Sequence, residues 1–316
     1  MNGTGDASHG WSWADNLAGV IPPLLTPLDR AGHVDATAAA ALAHSVLDGG
    51  CSGLFVGGGC GQGPWLTAEQ RGEAVRAVVE AAAGTVPVLA GVMLPASGPT
   101  CEAARQAEAE GADAVVVATP YYFGTDGDDQ RRHVEAVLDA VDLPVLLYNI
   151  PQCTGYVWLP QTVAVLAREP RVLGVKDSSG DLPAFQALLA IKRDRPDFRV
   201  LQGDERVMAA CMLMGGDGLI AGLANVAPRL FVELVRRGAQ GDAPACRSLQ
   251  ERITDLHTLF SHGRWLAALM TACALLGFGD GRPAAPWAAA TAEQRRAIAT
   301  VLERHGLLGV SAVGSG

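Results

Sequence analysis

The chain has 316 residues, 49% apolar and 18% charged, the balance of a globular protein with one large domain or two modest ones. Its 24 Lys and Arg against 33 Asp and Glu give a formal charge of −9, which leaves no basic stripe for phosphates and argues against nucleic acid as a partner. Seven scattered cysteines (Cys51, Cys60, Cys101, Cys153, Cys211, Cys246, Cys273) form no CxxC pair or Cys/His cluster, so neither a disulfide framework nor a metal site is expected, and reduced thiols in the cytoplasm are the default.

Residues 1–15 carry no basic start and no apolar core, so they read as a disordered tail rather than a signal peptide. Trp11 and Trp13 within them have no assigned role. No run of about 18 apolar residues exists, so no membrane span is expected. "AGVIPPLLTPL" (18–28) reads as a first strand and its exit, shortened by two prolines. A helix over 35–50 capped by Asp35, a strand over 51–58 and a helix over 67–84 with a Thr67/Gln70 capping box come next. The alternation continues with strand 86–92, helix 100–112, strand 113–120, helix 129–141, strand 143–150 and helix 159–169. Strand 171–176, helix 181–194, strand 198–203, helix 205–215 and strand 217–223 complete it. The strands are nearly continuous in Val, Leu and Ile, as parallel strands covered on both faces are. Past Pro228 the pattern is helical alone, with breaks near 238–241 and 277–286. The expectation is an α/β chain: a (β/α)8 TIM barrel over 16–228 with a C-terminal helical extension over 229–316. A doubly wound open sheet is the rival, but the glycine fingerprint it usually carries after its first strand is missing.

Such a barrel gathers functional groups at the C-terminal ends of its strands. Those ends hold Thr26, residues 57–62 and 119–122, Tyr148, Asn149, Lys176, residues 203–205 and Gly222, polar or aromatic where the strand interiors are bland. A lysine that ends an apolar run is either solvated or held half-buried as an amine nucleophile. Tyr148 ends the preceding strand, so neighbouring strands bring a phenol that can relay protons beside the amine. The plainer reading of Tyr148 is a core tyrosine bonded to backbone. "VGGGCGQGP" (56–64) either turns its N–H groups inward as an anion nest or is a flexible loop. Asp204 reads equally as a site carboxylate and as the cap of a helix from Glu205. His133 reads as surface or satisfied core.

Five segments resemble, in order and spacing, those of the pyruvate-dependent class I aldolases and lyases typified by dihydrodipicolinate synthase and N-acetylneuraminate lyase. They are "GGCGQGPWLT" (58–67), "TPYY" (119–122), "LLYNIPQCTG" (146–155), "GVKDSSGD" (174–181) and "GGDGLIAGLANVAP" (215–228), and the resemblance covers roughly residues 17–310. It implies that Lys176 forms an imine with pyruvate or another 2-oxo acid, that Tyr148 shuttles protons, and that the amides of Gly59 and Cys60 hold the carboxylate. It implies that Tyr122 reaches the site of a neighbouring subunit, hence a homo-oligomer, dimer or tetramer. The imine is the electron sink, so no metal or cofactor is implied. Ser178, Asp204 and Glu205 fall where the sialic acid lyase binds its polyol, whereas Gly222 stands where that lyase has a hydroxyl. The chain also departs from the pattern. Gly59 and Cys60 replace a hydroxyl-bearing pair, Gln62 replaces the loop Glu, and Cys153 stands where the synthase has an Arg for its aldehyde's carboxylate. Without that guanidinium a second carboxylate lacks a bidentate partner, which argues against dihydrodipicolinate synthesis.

The sequence is therefore read as a cytoplasmic Schiff-base lyase that cleaves or forms a C–C bond between pyruvate and an aldehyde. Its substrate would be a 4-hydroxy-2-oxo acid or a 2-keto-3-deoxy sugar acid. Two alternatives stay open: a dehydratase on a deoxy keto-sugar acid through the same imine, and a protein that binds a 2-oxo acid without turning it over.

Overall fold

The computed structural model describes residues 17–308, so the expected tail with Trp11 and Trp13 lies outside the described residues, as do residues 309–316. Eight parallel strands curl into one barrel: β1 (Gly19–Val20), β2 (Leu54–Val56), β3 (Val88–Gly91), β4 (Ala114–Ala118), β5 (Val145–Asn149), β6 (Val172–Asp177), β7 (Arg199–Gln202) and β8 (Gly218–Leu219). Each strand from β2 to β8 pairs with the next, and β1 pairs with β8. The first strand is short, as its prolines led one to expect, because Pro22 and Pro23 have no N–H to donate to a ladder. The chain nevertheless closes the barrel just beyond it. Phe55 N donates to Pro22 O at 3.0 Å and Leu24 N donates to Phe55 O at 2.7 Å.

Side chains alternate between two cores, as a pleated strand requires. Leu89, Val116, Leu146, Tyr148, Leu201 and Ile220 fill the barrel, while Val115, Val117, Val145, Leu147 and Val200 pack under the surrounding helices. Those helices are α1 (Ala36–Asp48), α2 (Ala68–Ala82), α3 (Ser97–Ala109), α4 (Gly127–Ala140), α5 (Pro160–Leu166), α6 (Leu182–Ala190) and α7 (Met208–Leu213). Asp35 caps α1 through Ala38 N, and the Thr67/Gln70 capping box is present. Two helices begin earlier than expected. Pro99 sits in the first turn of α3, where a missing N–H is harmless, and Asp126 with Asp129 makes a capping box for α4.

The seventh helix corrects the sequence reading. It begins at Met208 rather than Glu205, and Asp204 is not its cap. The Asp204 carboxylate instead accepts from the Arg206 backbone N–H and pairs with its guanidinium at 2.6 Å. The last strand is also shorter than expected. The chain turns after Leu219 into a buried 3-10 helix (Gly222–Asn225), where the Asn225 amide donates to Pro23 O and Gly222 O and ties the exit of β8 to that of β1. Beyond it lie α8 (Pro228–Ala239), α9 (Ala243–His257), α10 (Trp265–Leu275) and α11 (Ala292–Arg304). Helix α10 is buried without a break from Leu266 to Cys273, which its apolar circumference demands. No described helix is long and apolar enough to cross a membrane. His133 is a satisfied core residue, buried, with Nδ1 2.9 Å from Ser97 Oγ.

Candidate active site

The pairing of β5 with β6 places Tyr148 directly opposite Lys176 and Asn149 opposite Asp177. The register shifts at one bulge: Val145 faces Val172, but Leu146 faces Gly174, leaving Leu173 as the extra residue. Leu173 points into the barrel, and the bulge resets the alternation so that Val175 points outward. The next residue, Lys176, therefore turns inward to the mouth. On the outer side Asn149 Nδ2 donates to Asp177 Oδ1 at 2.7 Å, and the Ser179 hydroxyl donates to Asp177 Oδ2 at 3.0 Å. Asn149 Oδ1 accepts from Trp158 N, and the Trp158 indole donates to Tyr148 O at 3.1 Å. These bonds hold the two strand ends in register from behind. They also occupy the Asp177 carboxylate, which is thereby kept from Lys176.

Lys176 is 3% exposed, and its Nζ lies 3.8 Å from the centroid of the Tyr148 ring and 5.2 Å from that of Phe55. Burial disfavours its charged form and brings the amine down from 10.5 to about 8, with Cys60, Glu205 and Cys153 pulling weakly the other way. A substantial share of neutral amine thus exists near neutrality, as a nucleophile requires. Burial pushes the Tyr148 phenol up, against a hydrogen bond from Ser178. The phenol is therefore neutral, and Ser178 is the hydroxyl beside it. Glycine at position 203 permits this closeness: a Cβ there would fall 2.1 Å from Ser178 Oγ and 2.8 Å from Lys176 Cε.

The loop after β2 folds tightly on itself. Gln62 takes a left-handed conformation (φ 59°), and Gly63 approaches so closely that a Cβ would lie 1.9 Å from Gly57 O. Gly59 is different, since a side chain there would meet open space. Neither the Gly59 nor the Cys60 amide donates to a backbone carbonyl among the described residues, so both remain free to receive an anion. Burial pushes the Cys60 thiol up to about 12, making it a neutral, weak donor. Gln62 is buried; its amide donates to Thr26 O and accepts from Ala284 N, joining the loop to the segment after α10.

One cavity of about 350 Å³ at the barrel mouth brings together nine of the ten residues singled out by sequence: Tyr148, Lys176, Gly59, Cys60, Cys153, Ser178, Asp204, Glu205 and Gly222. Glu205 is half-buried there, desolvation raises its carboxyl, and one oxygen accepts from Leu223 N at 3.2 Å. Gly222 leaves the room, since a Cβ would come within 3.2 Å of Cys60 Sγ and 3.3 Å of Glu205 Oε1. Tyr122 is the exception: 84% exposed, edge-on to Phe123 and outside this cavity. Arg206, His257 and Trp265 also line the cavity and were not anticipated. They come from a helix-entry turn and from beyond the barrel, where strand-end reasoning does not look. A second cavity of about 350 Å³ adjoins the first and is lined by Trp65, Trp265, Trp287, Tyr121 and Met93. Of its three tryptophans only Trp65, in "GGCGQGPWLT", lies in a segment that the sequence singled out. Among the described residues no three His, Cys, Asp or Glu side chains converge on a metal position.

The profile of the dihydrodipicolinate synthetase family matches residues 16–305. The chain is 37% identical over 293 residues to an uncharacterized DapA-like lyase of Halobacterium salinarum, covering 92% of this chain and 95% of the relative. It is 38% identical over 239 residues to the 4-hydroxy-tetrahydrodipicolinate synthase of Hyphomonas neptunium, covering 76% and 81%. Among solved structures it is similar to YagE, a prophage protein of the dihydrodipicolinic acid synthase family from E. coli K12, in complex with pyruvate. That match has a TM-score of 0.87 at 28% identity and covers 92% of this chain and 99% of the other.

Proposed function

The chain belongs to the dihydrodipicolinate synthetase family and is a lyase of the class I aldolase type, and from that premise we propose that Lys176 carries its reaction as an imine-forming amine on a 4-hydroxy-2-oxo acid made of pyruvate and an aldehyde. The observation that carries this reading is the environment of Lys176. The amine is buried at a barrel mouth, stacked on Tyr148 and brought down to about 8, while the nearby Asp177 and Asp204 carboxylates are held by other partners.

In the cleavage direction the neutral amine adds to the C2 keto group, and with uptake of one proton from solvent the adduct expels water, leaving a protonated imine. The C4 hydroxyl then gives its proton to the Tyr148 oxygen as the C3–C4 bond breaks. The electron pair of that bond moves through C3 to the iminium nitrogen, so an enamine and a free aldehyde result. A neutral phenol accepts a proton only by passing on its own, and the Ser178 hydroxyl beside it takes that proton as it hands its own onward. The relayed proton goes to C3, and one water hydrolyses the protonated imine to pyruvate and free lysine, returning to solvent the proton taken up when the imine formed. Ser178 thus supplies the hydroxyl that Gly59 and Cys60 lack. The free amides of Gly59 and Cys60 would receive the pyruvate carboxylate.

Cys153 lines the cavity where a carboxylate-binding arginine would be needed, and Arg206 is engaged by Asp204. Both support an aldehyde partner without a carboxylate, and so a reaction other than dihydrodipicolinate synthesis. Tyr122, exposed beside Phe123, is assigned to the site of a neighbouring subunit, which makes a homo-oligomer part of this reading. The test is to incubate the protein with pyruvate, reduce with borohydride and map the adduct by peptide mass spectrometry. An adduct on Lys176, absent from Lys176→Ala, is expected. No adduct with pyruvate or larger 2-oxo acids would overturn the mechanism.

A further inference from the structure

We propose that the tryptophan-lined cavity is the subsite for the aldehyde's substituent, and that it selects an aldehyde with an apolar aromatic body over a polyhydroxylated one. This rests on the imine reading and deepens it. The two cavities share Gly59, Tyr148, Ile150, Cys153 and Trp265. A substituent on C4, whose hydroxyl stands at Tyr148, can therefore leave the reacting centre in either of two directions.

The aromatic direction is a built wall. Trp65 comes from the turn after β2, Trp265 opens α10, and Trp287 lies between α10 and α11. The Trp287 ring meets Trp65 edge-on at 4.9 Å and Trp265 at 6.4 Å, and the Arg264 guanidinium sits 4.8 Å from it. Gln62 fixes the position of this wall by bonding Ala284 N, three residues before Trp287. Trp65 and Trp265 are 44% and 40% exposed in the single chain, so packing within that chain does not account for them. A volume of about 350 Å³ lies in the range of small-molecule pockets.

The polar capacity of the two directions decides between ligands. In the aromatic cavity the Gln62 amide is taken by Thr26 O and Ala284 N, and the Thr154 hydroxyl by Tyr156 O and Thr119. A polyol placed there would meet few partners beyond the Tyr121 hydroxyl, which donates to Met93 O at 3.4 Å, whereas an aryl ring would find ring faces and edges. At the opposite end Asp204 is engaged by Arg206, and Glu205 already accepts from Leu223 N. Acceptor capacity for a sugar chain is left on that side at Glu205, whose second oxygen takes no bond among the described residues.

The experiment supplies pyruvate with benzaldehyde or with glyceraldehyde and quantifies the 4-hydroxy-2-oxo acid formed, with borohydride trapping of pyruvate run in parallel. Expected is a kcat/KM for benzaldehyde about 10-fold or more above that for glyceraldehyde. Trp65→Ala should remove most of that preference and Trp65→Phe should retain it, with the pyruvate adduct on Lys176 present in all three proteins. If the adduct forms but glyceraldehyde is used as well as benzaldehyde, or neither is used, this inference is overturned and the imine reading stands. An equal loss for both aldehydes in Trp65→Ala also overturns it, because it marks a role in folding only. If no adduct forms, the imine reading fails and takes this inference with it.

Discussion

The polar end of the mouth, with Ser178, Asp204, Glu205 and Arg206, and the aromatic end, with Trp65, Trp265 and Trp287, enclose cavities of about the same volume. They differ in how much of their bonding capacity the chain itself has taken up. Asp204 is bound by Arg206 through three contacts, and Glu205 accepts from the Leu223 backbone N–H. The tryptophans contact one another edge-on and leave ring surface open. Residue type alone would rank the polar end as the ligand-binding half. What counts is unsatisfied capacity, and a carboxylate already paired with a guanidinium offers less of it than an exposed indole.

The largest effect should come from the group both halves depend on. Lys176→Met is expected to abolish turnover of every aldehyde, whichever cavity it uses, while raising stability. The amine at about 8 against an ordinary 10.5 is less willing to hold its proton folded than unfolded. The folded state therefore carries a penalty of about 3 kcal/mol below pH 8, which fades as the pH rises toward 10.5. Denaturant unfolding at pH 7 and at pH 10 should show the Met variant more stable at the first and the gap narrowing at the second. A variant less stable at pH 7 would mean that the amine is not desolvated. For the same reason imine formation in the parent should speed up as the pH rises through about 8.

Tyr148 lines both cavities, so Tyr148→Phe should slow turnover by about 10²-fold or more for aromatic and hydroxylated aldehydes alike. A loss confined to one aldehyde class would separate the halves at the chemical step and remove Tyr148 as the shared relay. Ser178→Ala, at the polar end, should lower kcat about tenfold, the value of one good hydrogen bond, with pyruvate trapping intact. Unchanged kcat would return the relay to water.

The smallest effect sharpens the aromatic end alone. Gln62→Glu keeps the acceptor for Ala284 N but loses the donor to Thr26 O, and it buries a carboxylate. A destabilisation of about 1–3 kcal/mol is expected, seen as a lower denaturation midpoint. The accompanying loss of benzaldehyde turnover should exceed that of glyceraldehyde turnover.

Much of this was legible from local pattern. Continuous Val and Leu runs separated by helical periods identify parallel strands, and the ends of those strands point to Tyr148, Lys176 and the residues around Gly59. The reading failed where a residue's role depends on a partner in another segment. Asp204 reads equally as a site carboxylate and as a helix cap, and the cap half of that reading fell because Arg206, two residues on, takes its carboxylate and the helix starts later. The break near 277–286 is correct as a break, but nothing local marks Trp287 beside it as a neighbour of Trp65, more than two hundred positions away.

By itself, the sequence determined the alternation of strand and helix, the family, and the presence of an amine and a phenol on adjoining strand ends. These follow from periodicity and short spacing, which the chain carries along its own length. Only the tertiary structure decided which way the amine points, because the bulge at Leu173 inverts the simple alternation that would set Leu173 and Lys176 on opposite faces. It also decided that three distant tryptophans form one wall and that the nearby carboxylates are already engaged. Those outcomes depend on closure of the barrel and on packing between segments, which no stretch of residues encodes alone.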